Sequence, residues 1–282
     1  MGDSTQLKSR DDGARIFIDD DRLNQLVERA QEIISKDNTE VPTFWNTKYK
    51  KEAAKNWDLF YKRNTTKFFK DRHWTDREFP ELADQSKEQK CLEVGCGVGN
   101  FVFPLLADNP SLFMYACDFS KRAVDMVKSN ESYDETRCKA FVCDLTADKL
   151  TDNIPKNSLD IVSAIFVFSA IPPEKMDIAI KNIYSVLKPG GLIIFRDYGI
   201  YDEAQIKFSK SSDKRLENNF YVRHDGTMSY FFSKEELQTR FEDEGFSTQE
   251  CQYVYRETTN RSLEMRIDRI FVQGKFKKPL QV

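Results

Sequence analysis

The chain is poor in the residues that build metal centres and covalent frameworks. Its 282 residues include two histidines, His73 and His224, and six cysteines with no C-x-x-C pair among them. That pattern excludes the usual zinc motifs and any disulfide scaffold, so no metal is expected and the thiols read as reduced, as in a cytoplasmic or nuclear protein. No apolar run approaches the roughly 20 residues that cross a bilayer; the longest, residues 161–171, is broken by serine. The opening MGDSTQLKSRDDGAR lacks the apolar core of a secretory leader, and Gln6 stands where a myristoylation motif has Ser or Thr. Excess charge is also lacking. A net charge of −3 does not announce a nucleic-acid partner. Repeats and low-complexity tracts are absent, and the length suits one large domain or two small ones.

Charge is nevertheless unevenly placed. Residues 1–44 carry six basic and ten acidic side chains, whereas residues 45–80 carry ten basic and five acidic. The basic stretch also holds Trp45, Tyr49, Trp57, Phe60, Tyr61, Phe68, Phe69 and Trp74. Cations interleaved with aromatics suit a phosphate backbone and unstacked bases, although an amphipathic helix with a solvated charged face has the same composition. Three regions follow. Residues 1–44 form an acidic extension, disordered over 1–20, with one helix over 21–35 that places Leu23, Leu26, Val27, Ala30, Ile33 and Ile34 on one stripe. Residues 45–89 form a helical cap, with a helix over 47–63 and a loop with a short helix over 65–80. Residues 90–282 form the main domain.

In that domain strands are expected at 91–94, 112–117, 139–143, 159–166 and 192–195, separated by helices at 98–106, 121–129 and 173–187. A helix at 233–244 and strands near 252–257 and 269–275 complete it. Such alternation predicts an α/β, Rossmann-like fold, a seven-stranded mostly parallel sheet with helices on both faces. A sheet of this kind binds its ligand at the carboxyl ends of its strands. Lys188-Pro189-Gly190-Gly191 is expected to end the third helix.

The first strand runs into Glu93-Val94-Gly95-Cys96-Gly97-Val98-Gly99-Asn100. Glycine there permits positive φ and lets a ligand lie against the backbone, and the next helix adds free N–H groups. Asp118 ends the second strand, where a carboxylate can accept from two ribose hydroxyls; Ser120 suits the adjoining helix cap. Asp144, followed by Leu145, ends the third. It can accept from an adenine amino group, or serve as a plain turn aspartate. Glycine, aspartate and aspartate at three successive strand ends describe an adenosine site. No G-K-[ST] is present for ATP, and Asn100 replaces the third glycine of a dinucleotide motif, so S-adenosylmethionine (SAM) fits best. The fourth strand ends in apolar Ile165-Phe166-Val167-Phe168, which argues against acceptor chemistry needing a carboxylate there. The fifth ends in Phe195-Arg196-Asp197-Tyr198-Gly199, where charge is costly unless paired or used. A structural Arg196–Asp197 ion pair is the plainer reading.

The glycine turn with Glu93 ahead of it resembles motif I of the class I SAM methyltransferases. Residues 56–62 (NWDLFYK), 68–74 (FFKDRHW), 92–100, 117–120, 188–191, 195–199 (FRDYG) and 219–223 (NFYVR) resemble the eukaryotic tRNA 3-methylcytidine methyltransferases, over about residues 55–280. The resemblance implies SAM as cofactor and methylation of cytidine 32 in the tRNA anticodon loop. Serine tRNAs are the implied substrates, with seryl-tRNA synthetase as a partner of some members, and a cytoplasmic or additionally nuclear location. It also implies roles. Trp57, Tyr61, Gly95, Gly97, Asp118, Asp144, Leu145, Ile165 and His73 would hold SAM, with Trp57 and Tyr61 at i and i+4 on one helix face. Phe68, Arg72, Asp197 and Tyr198 would serve the acceptor base, with His73 on the cytosine side as well. Lys62, Arg63, Lys67, Lys70 and Arg223 would bind RNA. Two departures stand out: Met228 occupies a position where relatives often have Arg, and residues 1–44 lie outside the resemblance.

Cytosine N3 carries an in-plane lone pair and no proton, so its methylation needs no general base. Positive charge moves onto the ring, and a nearby carboxylate, here assigned to Asp197, would help electrostatically. Asp197→Ala is then expected to leave SAM binding nearly intact and lower turnover at least ~100-fold. Two rival readings are a methyltransferase of the same fold acting on protein or a small molecule, and a SAM-binding subunit that needs a partner for activity.

Overall fold

The computed structural model describes residues 20–260 and 265–280; the disorder expected over residues 1–20 lies outside them except at Asp20, which begins the first helix. The N-terminal stripe forms α1 (Asp20–Ile34), with Ala30 fully buried. Two helices, α2 (Thr43–Lys51) and α3 (Ala53–Asn64), replace the single one expected over 47–63. The chain bends at Glu52, with φ −95° and ψ 13°. The apolar stripe continues across the bend, so periodicity alone does not register it. No residue of α2 is fully buried; half-buried Tyr49 packs against the core, and polar contacts add to it. Asn46 donates to the Leu216 carbonyl at 3.0 Å, and Lys50 pairs with Glu174 at 2.9 Å and with Glu217. A short helix, α4 (Thr75–Glu78), leads to the sheet.

The alternation then unfolds as β1 (Gln89–Val94), α5 (Val102–Asp108), β2 (Leu112–Asp118), α6 (Lys121–Lys128), β3 (Cys138–Val142), β4 (Leu159–Ile165), α7 (Met176–Val186) and β5 (Leu187–Tyr198). After it come α8 (Glu203–Ser209), β6 (Arg215–Glu217), β7 (Phe220–Val222), β8 (Met228–Tyr230), α9 (Lys234–Asp243), β9 (Ser247–Asn260) and β10 (Met265–Lys277). Seven strands form one sheet in the order β3-β2-β1-β4-β5-β10-β9. The first five are parallel and β10 is antiparallel to both neighbours. The expected fold class therefore holds. The small antiparallel sheet β6-β7-β8 and α8 were not expected, because three-residue strands are too short to show alternation.

Side chains alternate across the strands and build an apolar layer on each face. Leu92, Val94, Val162, Ile193 and Phe195 pack toward α7 on one side. Cys91, Met114, Ile161 and Ile194 pack toward α5 on the other. The Lys-Pro-Gly-Gly turn acts differently from expectation. Helix α7 stops at Val186, and residues 188–191 form an irregularity within β5, where pairing with β4 slips between Leu159 and Ile161. Gly190 takes φ +81° there. The β9–β10 hairpin pairs with β5 up to Phe271 opposite Tyr198 and continues past it, beyond the carboxyl end of the sheet. Among the described residues no helix is long and apolar enough to cross a membrane.

Candidate active site

The glycine turn is compressed from two sides. A Cβ on Gly95 would lie 2.3 Å from Val167 Cγ2, and one on Gly97 would lie 2.9 Å from Tyr61 Oη. Both glycines also take positive φ, +60° and +54°. The Gly97 N–H donates to Asp118 Oδ2 at 3.0 Å and the Ser120 N–H to Oδ1 at 2.9 Å, so the carboxylate braces two strand ends at once. Burial pushes this carboxyl up to about 6, against the hydrogen bonds from Ser120 and Gly97. Ser120 caps α6, accepting from the Ala123 N–H at 3.2 Å, and donates to Asp58 on α3 at 2.9 Å. That contact ties the cap helix to the sheet.

Beneath α2 and α3 lies a cavity of about 260 Å³, lined by Trp57, Tyr61, Gly95, Asp118, Asp144 and Leu145 together with Lys50, Lys51, Phe166 and Val167. Six sequence-derived cofactor residues thus meet in one space. Asp144 forms its turn and also lines this cavity. One oxygen accepts from the Thr146 N–H and hydroxyl, each at 2.8 Å; the other takes no part in that turn. Glu93, which sequence reasoning placed in the motif without a task, supplies a further group. It is 1% exposed, and its Oε1 accepts from Arg72 Nη1 at 3.2 Å. Its Oε2 is buried with no hydrogen-bond partner. Burial pushes Glu93 up to about 8, outweighing the Arg72 charge. A buried polar atom without a partner is expected to meet one on a ligand, and Glu93 lines a cavity that adjoins this one. Two strand-end aspartates, Asp118 and Asp144, around a cradle that tolerates no Cβ fit SAM.

A second cavity of about 240 Å³ adjoins the first and shares Tyr61, Gly95 and Phe166 with it. Its other walls include Lys70, Arg72, Trp74, Gly97, Asn100, Tyr198, Arg269 and Phe271. Phe166 holds φ +57°, a left-handed conformation costing about 1–2 kcal/mol. Its N–H donates to the Arg196 carbonyl at 2.8 Å. That conformation sets its ring 5.4 Å from Tyr198 and 5.3 Å from Phe271 at the junction of the two cavities.

Several expected residues sit elsewhere. His73 is exposed and lines neither cavity. Phe68 is 56% exposed and packs edge-on against Phe60 and Phe69, with centroids 4.8 and 4.9 Å away. Ile165 is buried in the core and contributes only its carbonyl, which accepts from Arg72 at 3.2 Å; the wall at that strand end is Phe166 and Val167. Asp197 is fully buried and lines neither cavity. Its oxygens accept from the Ser169 and Tyr198 N–H groups, each at 2.9 Å. The reason is strand alternation: Asp197 and Tyr198 face opposite sides of β5, and only Tyr198 reaches the cavity. Arg196 does not pair with Asp197. It bonds Glu78 at 2.9 Å and Gln273, and lies 4.3 Å from the Trp74 ring centroid. Met228 is buried in β8, within the core. Lys62, Arg63, Lys67 and Lys70 are exposed, and Arg223 donates to Tyr198 Oη at 3.2 Å. Among the described residues no cluster of His, Cys, Asp or Glu could hold a metal ion. Arg269 and Phe271 were missed because a late strand shows its partner only once register is known.

A methyltransferase-domain family model matches residues 92–193. The human tRNA N(3)-cytidine methyltransferase METTL6 is 52% identical over 258 residues, covering 90% of each chain. The Schizosaccharomyces pombe tRNA N(3)-methylcytidine methyltransferase trm141 is 48% identical, covering 83% of this chain and 96% of that one. A SAM-dependent methyltransferase of Methanosarcina mazei superposes with a TM-score of 0.57 at 16% identity, over 72% of this chain and 98% of that one, which speaks for the fold alone. With its glycine cradle, its strand-end carboxylates and these relatives, the chain belongs to the tRNA N(3)-cytidine methyltransferase family, enzymes that use S-adenosylmethionine.

Proposed function

We propose that this enzyme forms 3-methylcytidine at position 32 of the tRNA anticodon loop, with serine tRNAs as preferred substrates and seryl-tRNA synthetase as a partner. The observation that carries the reading is the second cavity, walled by Arg72, Trp74, Tyr198 and Arg269 and joined to the cofactor cavity at Tyr61, Gly95 and Phe166. The loop position and the serine preference rest on the resemblance of the FFKDRHW and FRDYG strings. Bound SAM supplies an electrophilic methyl group. In this reading Asp118 and Asp144 would accept from its ribose and adenine, with Trp57 and Tyr61 lining the same cavity.

The protein then has to position and desolvate. Cytosine N3 attacks through its own lone pair, so no side chain need remove a proton, and alignment supplies much of the rate. N3 lies on the Watson–Crick edge, so the base must be unpaired or turned out of its stack. Tyr198 and Phe166 offer aromatic faces for it. Glu93 lines the second cavity, whereas Asp197, to which the sequence assigned the electrostatic role, does not. Residues 45–89 act as a cap for both cofactor and RNA, with Lys62, Arg63, Lys67 and Lys70 meeting the phosphate backbone. The cytoplasm, with the nucleus in addition, is the proposed location.

The test is methylation of total tRNA from cells lacking the activity, with labelled SAM and nucleoside mass spectrometry, without and then with seryl-tRNA synthetase. 3-Methylcytidine at position 32 of serine tRNAs is expected. SAM binding without that product in either arm would overturn the reading.

A further inference from the structure

Two arginines from distant parts of the chain converge on Tyr198. Arg223, just after β7, donates through Nε to Ser229 Oγ at 2.8 Å and through Nη2 to Tyr198 Oη at 3.2 Å. Arg269, in β10, donates through Nε to Asp202 Oδ2 at 2.9 Å. Their guanidinium carbons lie 5.6 and 5.7 Å from the Tyr198 ring centroid, and Arg269 lies 5.2 Å from that of Phe271. Each arginine is therefore held at Nε from behind, by Ser229 or Asp202, both fully buried. The Asp202 anchor is itself fixed. Oδ2 also accepts from the Ile270 N–H at 2.8 Å, and Oδ1 accepts from the Ala204 N–H at 2.8 Å.

The two guanidinium groups are set against two buried carboxyls, Arg269 against Asp202 and Arg223 facing Asp197, and Arg269 lines the second cavity. An arginine anchored at Nε presents its terminal nitrogens in a planar fork, the geometry that suits phosphate oxygens. In a nucleic acid a phosphate is one sugar away from every base, so an anion site at this rim matches a base in the adjoining cavity. Lys70 on the same wall adds to the field.

We infer that Arg269 and Arg223 clamp the phosphodiester next to the methyl-accepting nucleotide, and that Asp202 is the positioning residue that aims Arg269. This rests on the RNA reading above. It extends the site to residues of α8's entry turn and β10 that no sequence motif marked.

The experiment uses full-length tRNA, joined from synthetic halves, with a single uncharged methylphosphonate at the linkage 5′ or 3′ of the target cytidine. The wild-type enzyme should lose at least ~10-fold in kcat/KM at one of the two linkages, the scale of a missing charged hydrogen bond. Arg269→Gln and Arg223→Gln should lose about as much on unmodified tRNA and then be indifferent to the neutral linkage. Asp202→Asn should raise KM for tRNA, leave the SAM Kd unchanged, and blunt the methylphosphonate effect. A merely structural role would lower melting temperature and SAM affinity together and keep that effect intact. Wild-type indifference to both neutral linkages, or full sensitivity retained in Arg269→Gln, overturns the clamp. Wild-type enzyme that methylates no cytidine in any tRNA overturns the RNA reading itself, and the clamp with it.

Discussion

Replacing Gly97 by alanine should weaken cofactor binding through Tyr61. Gly97 holds φ +54°, so any L-residue there costs about 1–2 kcal/mol of folding stability. The binding effect has a separate origin. The new Cβ would lie 2.9 Å from Tyr61 Oη, with Cζ next at 3.6 Å. The hydroxyl must retreat by roughly 0.5 Å to reach ordinary van der Waals contact. Tyr61 is 5% exposed and packed 5.5 Å from Phe60 and 6.0 Å from Trp57, so its tip cannot move alone. The ring swings within the cofactor cavity it lines. SAM affinity should fall about tenfold, or ~1.4 kcal/mol. Removing the hydroxyl with Tyr61→Phe leaves the ring carbon at 3.6 Å, an ordinary contact. In that background Gly97→Ala should change the SAM Kd by less than ~2-fold, a coupling of about 1 kcal/mol, within the range for touching residues. Calorimetric titration of SAM into the four proteins measures it, with melting temperature reporting the backbone strain separately. Equal Kd penalties in both backgrounds, or none in either, would refute the reasoning.

Three further outcomes are expected. Asp197→Asn places an amide NH₂ against the Ser169 or Tyr198 N–H, so stability should fall by about 1–3 kcal/mol with the SAM Kd little changed; an unaltered melting temperature with turnover down ~100-fold would restore Asp197 to direct catalysis. Glu93, pushed up by burial to about 8, keeps its proton in the folded protein well above its unfolded pKa of about 4.3. Its contribution is then fully present below about pH 4 and disappears as pH rises through 8, at up to ~1.4 kcal/mol per pH unit. The ligand-free wild type should therefore lose melting temperature from pH 6.5 to 8.5 more steeply than Glu93→Gln, and parallel slopes would contradict this. Reversing Lys67 and Lys70 to glutamate should weaken tRNA binding and lower the slope of log K against log salt by about one for each phosphate that is no longer neutralised; an unchanged slope, measured by filter binding, would remove both residues from the interface.

Local chemistry made much of this protein legible from its sequence. Strand and helix periods announced the layered sheet, glycine spacing marked the cradle, and Ser120 at the mouth of α6 marked its own cap, because each signal is carried by neighbours in the chain. Asp118 and Asp144 were legible for the same reason, each being the residue at or just past a strand end. What the chain could not show locally was decided by register and facing. One residue's difference along β5 separates Tyr198, which faces the cavity, from Asp197, which is buried behind it. The bend at Glu52 answers to contacts with Leu216, Glu217 and Glu174, all more than a hundred residues away. Glu93 acquired a partner in Arg72, and Arg269 in Asp202, only when β1 and β10 took their places in the sheet. Sequence patterning determines which elements form, since backbone hydrogen bonding and side-chain period act over a few residues. Which side chains share a cavity depends on how those elements pack, and packing joins residues that the sequence holds far apart.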